Sequence, residues 1–218
     1  MQKIKIFTLF TTIILLFSVF GATMTGFAAF SPNFDVYSEG VYMVNTDTDI
    51  VVMAKNADKK MYPASTTKIM TALVTLANVK NLNAGVKVPY DCFNEFSEDN
   101  PNFIGPSGGG IDPLQDNLTY NDALYSMMIA SACESANILA YNVGGGSIAN
   151  FVQLMNDTAA QIGCRNTHFS NPHGLFAEDN YSTPYDMYLI TKYAIDHYPA
   201  FMKICSTYSY DMPANSSN

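Results

Sequence analysis

Ser65 and Lys68 are separated by two threonines in Tyr62-Pro-Ala-Ser-Thr-Thr-Lys-Ile-Met-Thr71, a spacing that puts a hydroxyl and an amine on one helix face. An amine within hydrogen-bond reach of a serine hydroxyl can take its proton, which is the opening step of serine acyl transfer. Pro63 stands upstream as a helix breaker, and Ile69, Leu73 and Leu76 follow at helical spacing, so the chemistry falls in the first turn of a predicted helix. A Ser/Thr N-cap followed by a solvated lysine satisfies the same four letters. The rest of the chain has to decide between the two readings.

The elements that must position this pair are legible from patterning. Val41–Asn45 and residues 50–54 are β-prone runs joined by Thr46-Asp-Thr-Asp49, a hairpin signal. After the Ser65 helix, residues 95–117 are polar and contain Gly108-Gly-Gly110 without a Gly-Lys-Ser ending, so they are expected to form a flexible connection. Thr119 with Asp122 looks like an N-cap with its N3 carboxylate, and Leu124, Met127 and Met128 continue a helix over 120–129. A second helical run, 134–142, ends at the glycines of 144–146, which places Ser131 at the turn between helices. Ser147 caps a helix whose Ile148, Phe151, Val152, Met155, Ala159 and Ile162 keep period until Gly163. Thr183-Pro184 opens the last helix, with Tyr185 and Asp186 as start and cap, running to residue 197 before Pro199.

Composition narrows the setting. Residues 1–29 hold Lys3 and Lys5, an apolar run from Ile6 to Phe20, and then Gly26, Ala28 and Ala29, the pattern of a secretory signal peptide. No charge occurs between Ile6 and Phe34, so membrane association through an uncleaved N-terminal run is the competing expectation. Either way the working domain, residues 30–218, is expected to be secreted or otherwise extracytoplasmic, in the cell envelope. The formal charge is −8, and it becomes two units more negative without the leader, which excludes nucleic acid and anionic lipid as partners. Cys92, Cys133, Cys164 and Cys205 are too dispersed for a disulfide scaffold, and His168, His173 and His197 show no ligand spacing. No metal and no cofactor are expected.

Four blocks then speak together: Tyr62-Pro-Ala-Ser-Thr-Thr-Lys-Ile-Met-Thr-Ala72, Met127-Met-Ile-Ala-Ser-Ala-Cys-Glu-Ser-Ala-Asn137, Thr167-His-Phe-Ser-Asn-Pro-His-Gly-Leu175 and Tyr181-Ser-Thr-Pro-Tyr-Asp-Met187. In this order they resemble the D-alanyl-D-alanine carboxypeptidases, the low-molecular-mass penicillin-binding serine peptidases, over about residues 34–205. The resemblance implies an α/β fold of the serine β-lactamase and D,D-peptidase kind. In it a helical cluster lies on an antiparallel sheet, of which only the first two strands are written here. It further implies that Ser65 forms an acyl-enzyme with a peptidoglycan stem peptide and releases its terminal D-alanine, that Lys68 is the base, and that Ser131 relays a proton. β-Lactams would acylate the same serine.

Two departures qualify the resemblance. Cys133 occupies the substrate-binding place where the family most often has asparagine, and a thiol is a weak donor and acceptor. The family's Lys-Thr-Gly strand does not occur in these 218 residues. That strand supplies one of two oxyanion donors, and losing one costs on the order of 10²–10³ in rate. The domain is therefore expected to be incomplete on its C-terminal side, with a membrane anchor conceivable beyond it. A catalytically impaired peptidoglycan-binding or regulatory homologue is the alternative function. A β-lactamase ranks lower, because no Glu-x-x-x-Asn loop follows residue 160. His173, in Asn171-Pro-His-Gly-Leu175, is expected to hold a loop near the cleft rather than to do acid–base work.

Overall fold

The computed structural model describes residues 36–96 and 107–215. The leader expected at 1–29 and part of the connection expected at 95–117 lie outside them. Among the described residues, Val44–Met53 form one compact unit, and Val36–Met43 with Ala54 onward form the other.

Strands β1 (Val41–Asn45) and β2 (Ile50–Lys55) make a two-stranded sheet. Its turn is fixed by Asn45, whose Oδ1 accepts from the N–H groups of Asp47 and Thr48, an Asx arrangement that favours chain reversal. Helices follow in the order α1 (Thr67–Asn78), α2 (Tyr120–Ile129), α3 (Cys133–Val143), α4 (Ile148–Ile162), α5 (Pro184–His197) and α6 (Pro199–Cys205). Helix α1 is the hub. Met70, Leu73 and Val74 are fully buried, and the helix packs against α3, α4, α5 and α6.

Local chemistry sets the helix ends. Thr119 and Asp122 form a complete capping box at α2, and Ser147 Oγ accepts from Asn150 N–H at α4. Gly163 closes α4 in the left-handed region at φ 99°. Helix α6 is absent from the sequence reading, which took Pro199 as a stop. A proline equally suits the first helical position, where its missing N–H costs nothing, and the chain uses it so.

Two further readings are corrected. Asp186 is not the cap of α5, because Thr183 Oγ1 accepts the Asp186 N–H at 3.0 Å. The Asp186 carboxylate, buried at 2 % exposure, instead accepts from Arg165 N, Asn166 N and Thr167 Oγ1 at 3.2, 2.8 and 2.8 Å. The described part of 95–117 is likewise tethered rather than free. Ser107 Oγ donates to Ser131 O at 2.8 Å, Cys133 N donates to Ser107 O at 2.8 Å, and Gly109 N donates to the Glu134 carboxylate.

Isolated bridges then assemble the surroundings of Ser65. Met61 pairs with Ser182, and Tyr181 pairs with His168. The strand entering the nucleophile turn is thereby bound to the segment that carries the 171–175 loop.

Candidate active site

Ser65 lies in a single 3-10 turn, Ala64–Thr66, that runs directly into α1. Neither start makes a side-chain cap, so the N-cap reading of Ser65 does not hold. The serine is exposed, while Lys68 one turn on is buried at 2 % exposure. Lys68 Nζ stands 3.1 Å from Ser65 Oγ, 2.7 Å from the His173 carbonyl oxygen and 3.6 Å from Cys133 Sγ.

The loop that brings the His173 carbonyl here is pinned from beneath, where Thr71 Oγ1 donates to Pro172 O at 2.6 Å. Gly174 sits at φ 84°, and a Cβ there would lie 1.9 Å from the Ala64 carbonyl oxygen. Only glycine permits both the conformation and the approach. Ala64 itself has φ 47°, so the residue before the serine is held in the left-handed region against its steric preference.

Electrostatics follow from burial. Removal from water pushes the Lys68 amine below its ordinary pKa, opposed by Cys133 and Glu134 nearby. A neutral amine has two N–H groups and one lone pair. The His173 carbonyl can only accept, so it takes an N–H, and the Cys133 sulfur can take the other. In the protonated form Lys68 Nζ donates to Ser65 Oγ; when the amine is neutral, its lone pair is left for the Ser65 hydroxyl, the geometry that proton abstraction needs.

The opposite side of the cluster is the turn between α2 and α3. Ser131 adopts φ 57°, and the two ties of this turn to Ser107 described above run through the backbone, one at the Ser131 carbonyl and one at the Cys133 N–H. The structure brings Ser65, Lys68 and Cys133 together through their side chains, whereas the hydrogen bonds of Ser131 run through its carbonyl. Cys133 opens α3 at 2 % exposure. Glu134, next along, is buried, and desolvation pushes its carboxyl above the usual range despite the bond from Gly109. Thr71, Glu134 and the His173 carbonyl escape the sequence reading. Nothing in the spacing of Thr71 or Glu134 sets them apart from ordinary helix residues, and any residue type can supply a carbonyl.

The sequence profile of the D-alanyl-D-alanine carboxypeptidases matches residues 26–217. The chain belongs to that family. A D-alanyl-D-alanine carboxypeptidase of Streptomyces sp. strain K15 is 33 % identical over 177 residues, which cover 78 % of this chain and 58 % of the relative. The carboxypeptidase DacF of Bacillus subtilis is 32 % identical over 171 residues, covering 78 % and 42 %. The chain thus spans about half the length of these relatives. Among solved structures, the Streptomyces DD-transpeptidase superposes with a TM-score of 0.70 at 31 % identity, over 80 % of this chain and 65 % of that one. The carboxypeptidase DacD of Francisella tularensis gives 0.71 at 25 % identity, over 85 % and 43 %. Variants of the Streptomyces transpeptidase have been solved with a serine, and with a cysteine two positions later, each replaced by alanine. Within the D-alanyl-D-alanine carboxypeptidase family, a Ser-x-Cys spacing like that of Ser131 and Cys133 is therefore not peculiar to this chain.

Proposed function

We propose that this family member is a serine D-alanyl-D-alanine carboxypeptidase acting on peptidoglycan stem pentapeptides. The observation that carries the reading is the buried Lys68 amine, 3.1 Å from Ser65 Oγ, with an N–H committed to the His173 carbonyl. Lys68 takes the hydroxyl proton as Ser65 Oγ attacks the carbonyl carbon of the penultimate D-alanine. The Ser65 N–H, a first-turn donor that no carbonyl of its own helix can reach, supplies one hydrogen bond to the oxyanion. The C–N bond then breaks, and the proton passes from Lys68 by way of the Ser131 hydroxyl to the leaving D-alanine. Water hydrolyses the resulting ester and restores Ser65. Cys133 lines the substrate side of the amine in place of the usual asparagine.

The strained amide of a β-lactam meets the same serine and leaves it acylated. Residues 1–29 act as a leader, and the domain from residue 30 works in the cell envelope. Among the described residues no helix is long and apolar enough to cross a membrane. The test is covalent labelling of the intact protein with fluorescent penicillin, followed by mass spectrometry of the adduct. Labelling on Ser65 that vanishes in Ser65→Ala is expected. Absence of an adduct on the unaltered protein would leave the peptidoglycan-binding homologue as the reading.

A further inference from the structure

The carbonyl that orients Lys68 belongs to a residue whose own ring is clamped. His173 is buried at 1 % exposure. The Leu175 backbone N–H donates to His173 Nδ1 at 3.1 Å, and a backbone N–H can only donate. Nδ1 is therefore an acceptor, and the ring proton sits on Nε2. Nε2 in turn donates to Glu95 Oε1 at 3.0 Å. With its basic nitrogen occupied by a backbone donor, the ring has no lone pair to offer a substrate. Phe96 packs edge-on against the same ring, with centroids 5.4 Å apart.

Glu95 does more than meet His173. The same oxygen, Oε1, accepts from Asn137 Nδ2 at 2.6 Å, and that nitrogen also donates to Cys92 O at 3.1 Å. Asn137 is fully buried in α3, the helix that opens with Cys133. One carboxylate oxygen thus ties the loop holding the Lys68 acceptor to the helix holding the Cys133 thiol, two of the three groups around the amine.

We infer that Glu95 is a positioning residue for Lys68: its Oε1 sets the distance between the His173 carbonyl and α3, and through it the direction of the lysine lone pair toward Ser65. This deepens the acylation chemistry proposed above and rests on it. What matters is an acceptor oxygen at that point, because both bonds end on one atom. Glu95→Gln keeps such an oxygen. Glu95→Asp keeps the charge but withdraws it by one methylene, and Glu95→Ala removes it.

The experiment measures the acylation of Ser65 by fluorescent penicillin in the intact protein and in the three variants. Varying the penicillin concentration separates the acylation rate constant from the dissociation constant of the noncovalent complex. A misplacement of about 1 Å can cost on the order of 10²-fold in rate, so Glu95→Ala and Glu95→Asp should acylate roughly tenfold to a hundredfold more slowly with an unchanged dissociation constant. Glu95→Gln should remain within about threefold of the unaltered protein, since its amide oxygen still accepts. A loss confined to the dissociation constant would overturn the inference, as would a Gln variant as slow as the Ala variant or an Asp variant at full rate. Thermal melting of each variant shows that it is folded, and the Gln–Asp contrast alone decides the matter should Glu95→Ala not fold. Failure of the unaltered protein to acylate at all would sink the proposed function instead, a result distinct from full reactivity in every variant.

Discussion

Asp186 and Glu95 each collect donors from distant parts of the chain, yet they do different things. Asp186 is 2 % exposed and receives two backbone N–H groups and a hydroxyl from the consecutive residues Arg165, Asn166 and Thr167. It fixes the path of the chain. The Glu95 side chain is 43 % exposed and, among the described residues, receives the side chains of Asn137 and His173 from separate elements, so it fixes how those elements face each other beside Lys68. Although burial alone would raise the Glu95 pKa, the bonds from His173 and Asn137 outweigh it and hold the carboxyl below the usual range. Donor type therefore separates a carboxylate that builds the fold from one that aims the site.

The sharpest way to break that contrast is a residue belonging to both sides of it. Gly174→Ala would set a Cβ against the Ala64 carbonyl and force the left-handed backbone on a side chain. It should cost about 2–3 kcal/mol of stability and slow Ser65 acylation on the order of 10²-fold, read by denaturant melts and penicillin labelling of the same sample. Asp186→Ala should affect stability alone. It takes the acceptor from the Arg165 and Asn166 N–H groups, while Thr167 Oγ1 keeps Ser182 Oγ at 2.8 Å, at about 1–3 kcal/mol for each donor left buried and unsatisfied. A loss of roughly 3–5 kcal/mol is expected, with the acylation rate constant of the folded protein within about twofold. A rate loss matching that of Glu95→Ala would erase the distinction.

The smallest effect is one of pH. In the proposed mechanism Lys68 acts as the neutral amine, and burial lowers its pKa from the ordinary 10.5. Acylation should therefore rise with pH and level off below that value. For stability the sign is the same: the folded state binds fewer protons at Lys68 than the unfolded chain, so its contribution grows as pH rises from the lowered pKa toward 10.5. The rate limb should vanish from a pH profile of Lys68→Ala, leaving a low, flat residual rate.

Much of the frame was legible in the sequence. The hairpin, the Thr119 capping box and the helix from Ser147 to Gly163 rest on local rules, and each forms within a residue or so of its expected bounds. The Ser65–Lys68 pair was legible because three residues on a helix is itself a local rule. Glu95 was not. Its partners lie 42 and 78 positions away, and it sits in a polar, aperiodic stretch that reads as a connection. The left-handed backbones of Ala64 and Ser131 were hidden for another reason, since neither is a residue type that announces such a conformation.

Lys68 and the carbonyl that receives its N–H are 105 positions apart. A chain still being made carries Ser65 and Lys68 long before residue 173 exists. Until the 171–175 loop closes over α1, the amine stays in water, protonated near its ordinary value, and cannot relieve the serine of its proton. On the proposed mechanism, reactivity therefore arrives with one late, long-range closure rather than with the helix that bears both residues. If β-lactams acylate Ser65 as proposed, they would find it inert on every chain still short of residue 173.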